Sequence, residues 1–251
     1  MVVRALILRA PGTNCDVETA FAIEKAGARA FLVHIGELAR GEKSLNDYQI
    51  VVIPGGFTYG DYLGAGKILA NEIRKRLASD LEHFIARGGL VLGICNGFQA
   101  LVKAGFLPGS ANHTQTASIT FNDSGKFECR WVHLSVNPDS RCIFTRGLGK
   151  LYMPVAHGEG KFVTDAETLK EIDAPIFYTD ENGGKAGYPW NPNGSVENIA
   201  GVSDKSGRVL GLMPHPERHV EPSHHPRWMA GSDQGSGFGI FVNAVKWARE
   251  I

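Results

Sequence analysis

The chain has 251 residues, and 26 Lys plus Arg balance 26 Asp plus Glu for a formal net charge of zero. That balance argues against a nucleic-acid or anionic-membrane surface as the main partner. The length suffices for one large domain, 1–251, with a substantial core. Four cysteines (Cys15, Cys95, Cys129 and Cys142) are widely scattered with no CxxC pair, which fits a reducing cytoplasm better than a disulfide framework. The apolar run at the start is too short for a signal peptide, and no segment approaches a membrane span.

In chain order, Ala5–Leu8 reads as a strand and Val17–Ala26 as a helix closed by Gly27. Ala30–His34 and Ile50–Ile53 read as strands, and Ile68–Ala86 as one long amphipathic helix stopped by Gly88 and Gly89. Leu90–Ile94 is a short buried strand that runs into a helical pattern ending near Gly105. This alternation predicts an α/β fold, with a flavodoxin-like, doubly wound, mostly parallel sheet and helices on both faces. Ligands of such sheets gather beyond the carboxyl ends of the strands. The loops there are APGTNCD (10–16), PGGFTYGD (54–61) and the turn at Cys95. Farther on, Lys126–Val136, Leu151–Val155, Ile176–Tyr178, Ile199–Val202 and Val209–Met213 read as strands with few long helices between them. Gly239–Glu250 reads as a closing helix, and the Gly/Pro/Asn-rich stretch 182–195 as a loop within the domain.

Cys95 stands where a buried strand meets a helix, a turn that points its side chain outward toward the helix's first N–H groups. That setting suits a thiolate nucleophile, though a small buried cysteine would also fit there. A nucleophile of this kind needs an imidazole and a group to orient it. In LMPHPER, His215 and Glu217 follow the Val209–Met213 strand with only Pro216 between them. In an extended segment they project to one side, and proline stiffens the pair. An oxyanion site needs preorganised backbone N–H groups, for which Asn96 and Gly56 are placed at strand ends. His215, His219, His224 and His225 with Glu217 and Glu221 offer metal-ligand side chains, but Pro216 breaks the helical spacing and no metal is expected. GAGK (64–67) lacks a full phosphate-loop pattern.

GICNGFQ, PGGFTYGD and MPHPER together resemble the class I, triad-type glutamine amidotransferases. APGTNCD, SGKFECRW (124–131) and PVAHGEG (154–160) narrow the resemblance to the glutaminase components of phosphoribosylformylglycinamidine synthases, from residue 3 to about 218. The resemblance implies that Cys95 is the nucleophile, His215 the general base and acid, and Glu217 its orienter. Gly56 and Asn96 would donate to the oxyanion, Gln99 and Gly55 would help hold glutamine, and Asn122–Phe127 would flank the pocket. It implies no cofactor on this chain. ATP and Mg would lie on a synthetase partner that converts formylglycinamide ribonucleotide, in an assembly with room for a small third subunit. His157 and Glu159 match a family motif without an assigned step. Segment 219–237, HVEPSHHPRWMAGSDQGSG, is longer than the shortest stand-alone subunits carry. Two other readings use Cys95: a glutaminase for a different acceptor, and a flavodoxin-like redox or stress protein that would not need the His215–Glu217 pair.

Overall fold

The computed structural model describes residues 2–109, 111–230 and 235–251. Apolar, β-branched runs form the first strands, β1 (Arg4–Arg9), β2 (Arg29–His34), β3 (Ile50–Ile53) and β4 (Leu90–Ile94). They pair in parallel in the order β2-β1-β3-β4. β3 and β4 are buried at every residue, as strands covered on both faces must be. β1 leads outward to β2, whereas β3 leads the other way to β4, so right-handed crossovers put their helices on opposite faces. These helices are α1 (Asp16–Lys25), α2 (Ile35–Ala39), α3 (Lys67–Glu72), α4 (Ala78–Ala86) and α5 (Asn96–Lys103).

The single helix expected over Ile68–Ala86 is interrupted by a π turn, Ile73–Leu77, between α3 and α4. Leu69, Ile73, Leu77 and Leu81 are all buried and recur every four residues. A regular turn takes about 3.6 residues, so such a stripe drifts around the helix. The wider π turn absorbs the drift and keeps the stripe on the core.

The second half contributes β5 (Ala117–Phe121), β6 (Glu128–Val136), β7 (Lys150–His157), β8 (Glu159–Thr164), β9 (Asp173–Thr179), β10 (Ile199–Ser203) and β11 (Val209–Leu212). β11 lies parallel beside β4, and β10, β9, β6 and β7 continue the sheet antiparallel to nine strands. β5 and β8, absent from the sequence expectation, pair as a small separate sheet. α6 (Ala166–Glu171) leads into β9, and α7 (Phe238–Ala248) packs beside α1. The stretch 182–195 runs as a loop. Of segment 219–237, residues 219–230 carry short turns and residues 231–234 lie outside the described residues. One apolar cluster, from Leu6 and Val52 through Phe98 to Phe144, Tyr178 and Leu210, joins both halves. The α/β, doubly wound expectation holds. Among the described residues no helix is long and apolar enough to cross a membrane.

Candidate active site

β4 and β11 are adjacent, and their register pairs Ile94 with Leu212, so the two strands end at one level. The residues that follow are therefore brought together. Cys95 comes directly after β4 and caps α5 with φ 49° and ψ −103°, left-handed for a residue that is not glycine. Such a conformation costs of order 1–3 kcal/mol and persists only where its surroundings impose it. The Cys95 N–H donates to Leu212 O at 2.8 Å, tying the turn to β11. The helix then starts hard against β3, since a Cβ at Gly97 would lie 1.9 Å from Ile53 O.

His215 leaves β11 with its N–H bonded to Pro154 O at 2.9 Å, and Pro216 opens a short 3-10 turn carrying Glu217. His215 Nδ1 and Glu217 Oε1 are 2.6 Å apart, and both side chains are almost wholly buried. Among the described residues Glu217 Oε2 is buried without a hydrogen-bond partner, and His215 Nε2 is buried. Gly55 is the point where the loops meet. A Cβ there would lie 2.8 Å from His215 Cε1, 3.0 Å from Cys15 Sγ and 3.5 Å from Cys95 Cβ. Burial opposes a charge on His215, but attraction to Glu217 and then to Cys95 outweighs it and holds the imidazole pKa well above its ordinary value.

Sequence reasoning passed over Cys15, although it placed the 10–16 loop at the correct end of the sheet. Cys15 caps α1, donates to Asn14 Oδ1 at 3.2 Å and receives Arg218 Nη2 at 3.2 Å. Its sulfur and donor atoms of His215 and Glu217 lie within 4.8 Å of one another. Burial raises its thiol pKa above the ordinary value, against the opposing pull of the His215 hydrogen bond. Of the other histidines in 219–225, His219 and His225 pack against Trp131, and Glu221 pairs with Lys25.

A cavity of about 160 Å³ opens beside Cys95, with Gly56, Asp61, Gln99, Phe127, and Glu159 among its walls. Gly56 has φ 147°, and a Cβ there would lie 2.7 Å from Gly12 O, so the loop needs glycine. Among the described residues nothing accepts the Gly56 N–H. Asn96 locks the floor: Oδ1 accepts from Thr58 N at 3.1 Å and Thr58 Oγ1 at 2.5 Å, while Nδ2 donates to Asp61 Oδ1 at 3.1 Å and Gln99 Oε1 at 2.9 Å. Gln99 Nε2 donates to Glu159 O at 2.5 Å, so its amide is engaged at both ends. His157, also in the wall, is buried and bonded to Asn122 Oδ1 at 3.1 Å. Burial and then the nearby His215 push its pKa down to about 3, so it is neutral. Phe121 and Phe127 line the mouth, where the Asn122–Phe127 segment was expected. A larger cavity, about 760 Å³, lies by Phe106, His113, Glu171 and Arg208 and holds none of these residues.

Comparison with known proteins matches residues 2–248 to the CobB/CobQ-like glutamine amidotransferase domain. A Dehalococcoides mccartyi protein named phosphoribosylformylglycinamidine synthase subunit PurQ is 52% identical over 99% of both chains. A protein of the same name from Methanococcus maripaludis is 45% identical, over 98% of this chain and 99% of its own. In the solved structure of PurLQS from Thermotoga maritima, one chain superposes with a TM-score of 0.78 at 33% identity, covering 98% of this chain and 99% of that one.

Proposed function

The chain belongs to the CobB/CobQ-like glutamine amidotransferase family, and on that premise we propose that it is the glutaminase subunit of a phosphoribosylformylglycinamidine synthase. The observation that carries the chemistry is the meeting of Cys95 with the buried His215–Glu217 pair at the level ends of β4 and β11. The Cys95 thiolate adds to the side-chain amide carbon of glutamine. The developing oxyanion accepts the N–H groups of Gly56 and Asn96, a fixed site that needs no rearrangement as charge builds. The C–N bond breaks as the nitrogen takes a proton from the His215 imidazolium, and ammonia leaves behind a γ-glutamyl thioester. The neutral imidazole then takes a proton from water, whose oxygen adds to the thioester carbon, and glutamate departs as the thiolate is restored. Glu217 orients the ring and offsets its charge. Gln99 lines the space that glutamine fills, and Gly55, outside that lining, packs against His215 and Cys95.

The whole chain, 1–251, acts as one amidotransferase domain in the cytoplasm. It carries no cofactor of its own. Its ammonia passes to a synthetase subunit that holds ATP and Mg and converts formylglycinamide ribonucleotide to formylglycinamidine ribonucleotide. The test is ATP-dependent product formation by a complex containing Cys95→Ser. Synthesis from glutamine is expected to vanish, and synthesis from ammonium salt at raised pH to continue. Loss of both, with the complex still assembled, would overturn this division of labour.

A further inference from the structure

The cavity beside Cys95 has three carboxylate or imidazole side chains in its wall besides the cysteine: Asp61, His157 and Glu159. Two of them are spoken for. His157 is neutral and bonded to Asn122, so it offers no charge. Glu159 is committed through both oxygens, Oε1 to the Ala65 N–H at 3.1 Å and Oε2 to Lys103 Nζ at 3.4 Å. Lys103 in turn donates to Ala65 O at 2.6 Å, which completes a closed unit of no net charge.

Asp61 differs. Its Oδ1 accepts from Gly66 N and Asn96 Nδ2, each at 3.1 Å, and among the described residues Oδ2 has no hydrogen bond. The backbone that presents it is forced: Tyr59, Gly60 and Asp61 have φ of 54°, 68° and 51°, a run of left-handed residues that two non-glycine side chains disfavour. The Asn96 amide that anchors Asp61 belongs to the first residue of α5, next to Cys95. Asp61 is thus the carboxylate of the pocket wall with an oxygen left open among the described residues, anchored through Asn96 beside Cys95. Glutamine carries one cationic group, the α-ammonium, at the end of the molecule away from its reacting amide. A charge-assisted hydrogen bond in a partly desolvated site is the strong kind.

We infer that Asp61 Oδ2 receives the α-ammonium of the substrate and makes the site selective for an amino acid over a simple amide. This rests on the amidotransferase reading above. Asp61 is a binding residue in this account and takes no part in proton transfer.

The test compares two diazoketones that alkylate the thiol with loss of N2, one the glutamine analogue and the other its counterpart lacking the α-amino group. Both are applied to the assembled complex, wild type and Asp61→Asn, and Cys95 labelling is followed by mass spectrometry. Asparagine keeps the Oδ1 acceptor for Gly66 and Asn96 and removes only the charge. The wild-type protein is expected to label at least about 30-fold faster with the amino compound, and Asp61→Asn to reduce that ratio to about threefold or less. An unchanged ratio in Asp61→Asn overturns the inference, even if both rates fall, because equal slowing marks a purely structural role. Failure of the amino compound to label Cys95 in wild type defeats the amidotransferase reading itself and the inference with it.

Discussion

Cys15 and Cys95 each cap a helix that follows a strand of the parallel sheet, α1 after β1 and α5 after β4. Both are buried, and both lie against His215 across Gly55. They differ in backbone and in what their sulfur touches. Cys15 has φ −94° and ψ 13°, an unforced conformation, and its thiol is occupied by Asn14 on one side and Arg218 on the other. Cys95 is held at φ 49°, and beyond its interaction with His215 its thiol makes, among the described residues, one long hydrogen bond, 3.7 Å to Ala156 O. Cys95 lines the cavity, and Cys15 does not. Nearness to an imidazole therefore does not by itself select a nucleophile. On the proposed mechanism, the strained turn and the open side of the sulfur distinguish Cys95 as the nucleophile.

The largest effect should separate the two cysteines outright. Cys95→Ala is expected to lower glutamate release by the assembled complex at least about 1,000-fold, whereas Cys15→Ala should stay within about fivefold of wild type. Equal losses would erase the distinction. Gly55→Ala probes the crossing point between them. The new methyl group, 2.8 Å from His215 Cε1 and 3.0 Å from Cys15 Sγ, must displace the ring. Turnover should fall about 100-fold, at a stability cost of about 1–3 kcal/mol read from urea unfolding. Wild-type turnover in that variant would show that the imidazole tolerates either position.

Glu217→Gln should cost less, about 10–100-fold in kcat, with a shift in pH dependence that gives its sign. The Glu217 carboxylate helps hold the His215 pKa well above normal, so removing it lets the imidazolium lose its proton at lower pH. The alkaline limb of the rate profile should move to lower pH, and a limb that stays put would remove Glu217 from this role. The smallest contrast is chemical reactivity. Burial raises the Cys15 thiol pKa, so iodoacetamide at pH 8 should modify Cys95 about tenfold faster, as peptide mass spectrometry can measure. Faster labelling of Cys15 would reverse the assignment of the open sulfur.

Much of this geometry was legible in the residues. The strands ending at Ile53, Ile94 and Leu212 announce themselves as apolar runs before Pro, Gly and Cys, and their loops carry Gly56, Cys95 and His215. What escaped detection depends on partners distant in the chain. Cys15 meets Arg218 across about two hundred residues, and no local pattern encodes that contact. β5 and β8 alternate buried and half-exposed residues with polar side chains such as Ser118, Thr120 and Lys161, too weak a signal without the pairing that connects them. Asp61 was hidden by its neighbours: PGGFTYGD reads as a strand-end loop notable for Gly56, while the structure shows successive left-handed residues ending in Asp61 pinned by Asn96. The π turn was concealed for a subtler reason, because a four-residue spacing looks helical until its drift is followed over several turns.

The insertion of β11 beside β4 also orders events during synthesis. At roughly 5–20 residues per second, a ribosome releases Cys95 on the order of ten seconds before His215. Through that interval the nascent chain has the Cys95 sulfur but not the His215 imidazole, so on the proposed mechanism it cannot yet consume glutamine. The same strand order makes early termination conspicuous. A product that stops short of Val209 leaves β4, apolar at nearly every residue, as an open edge of the sheet. Such an edge recruits other strands and marks the fragment for aggregation or removal.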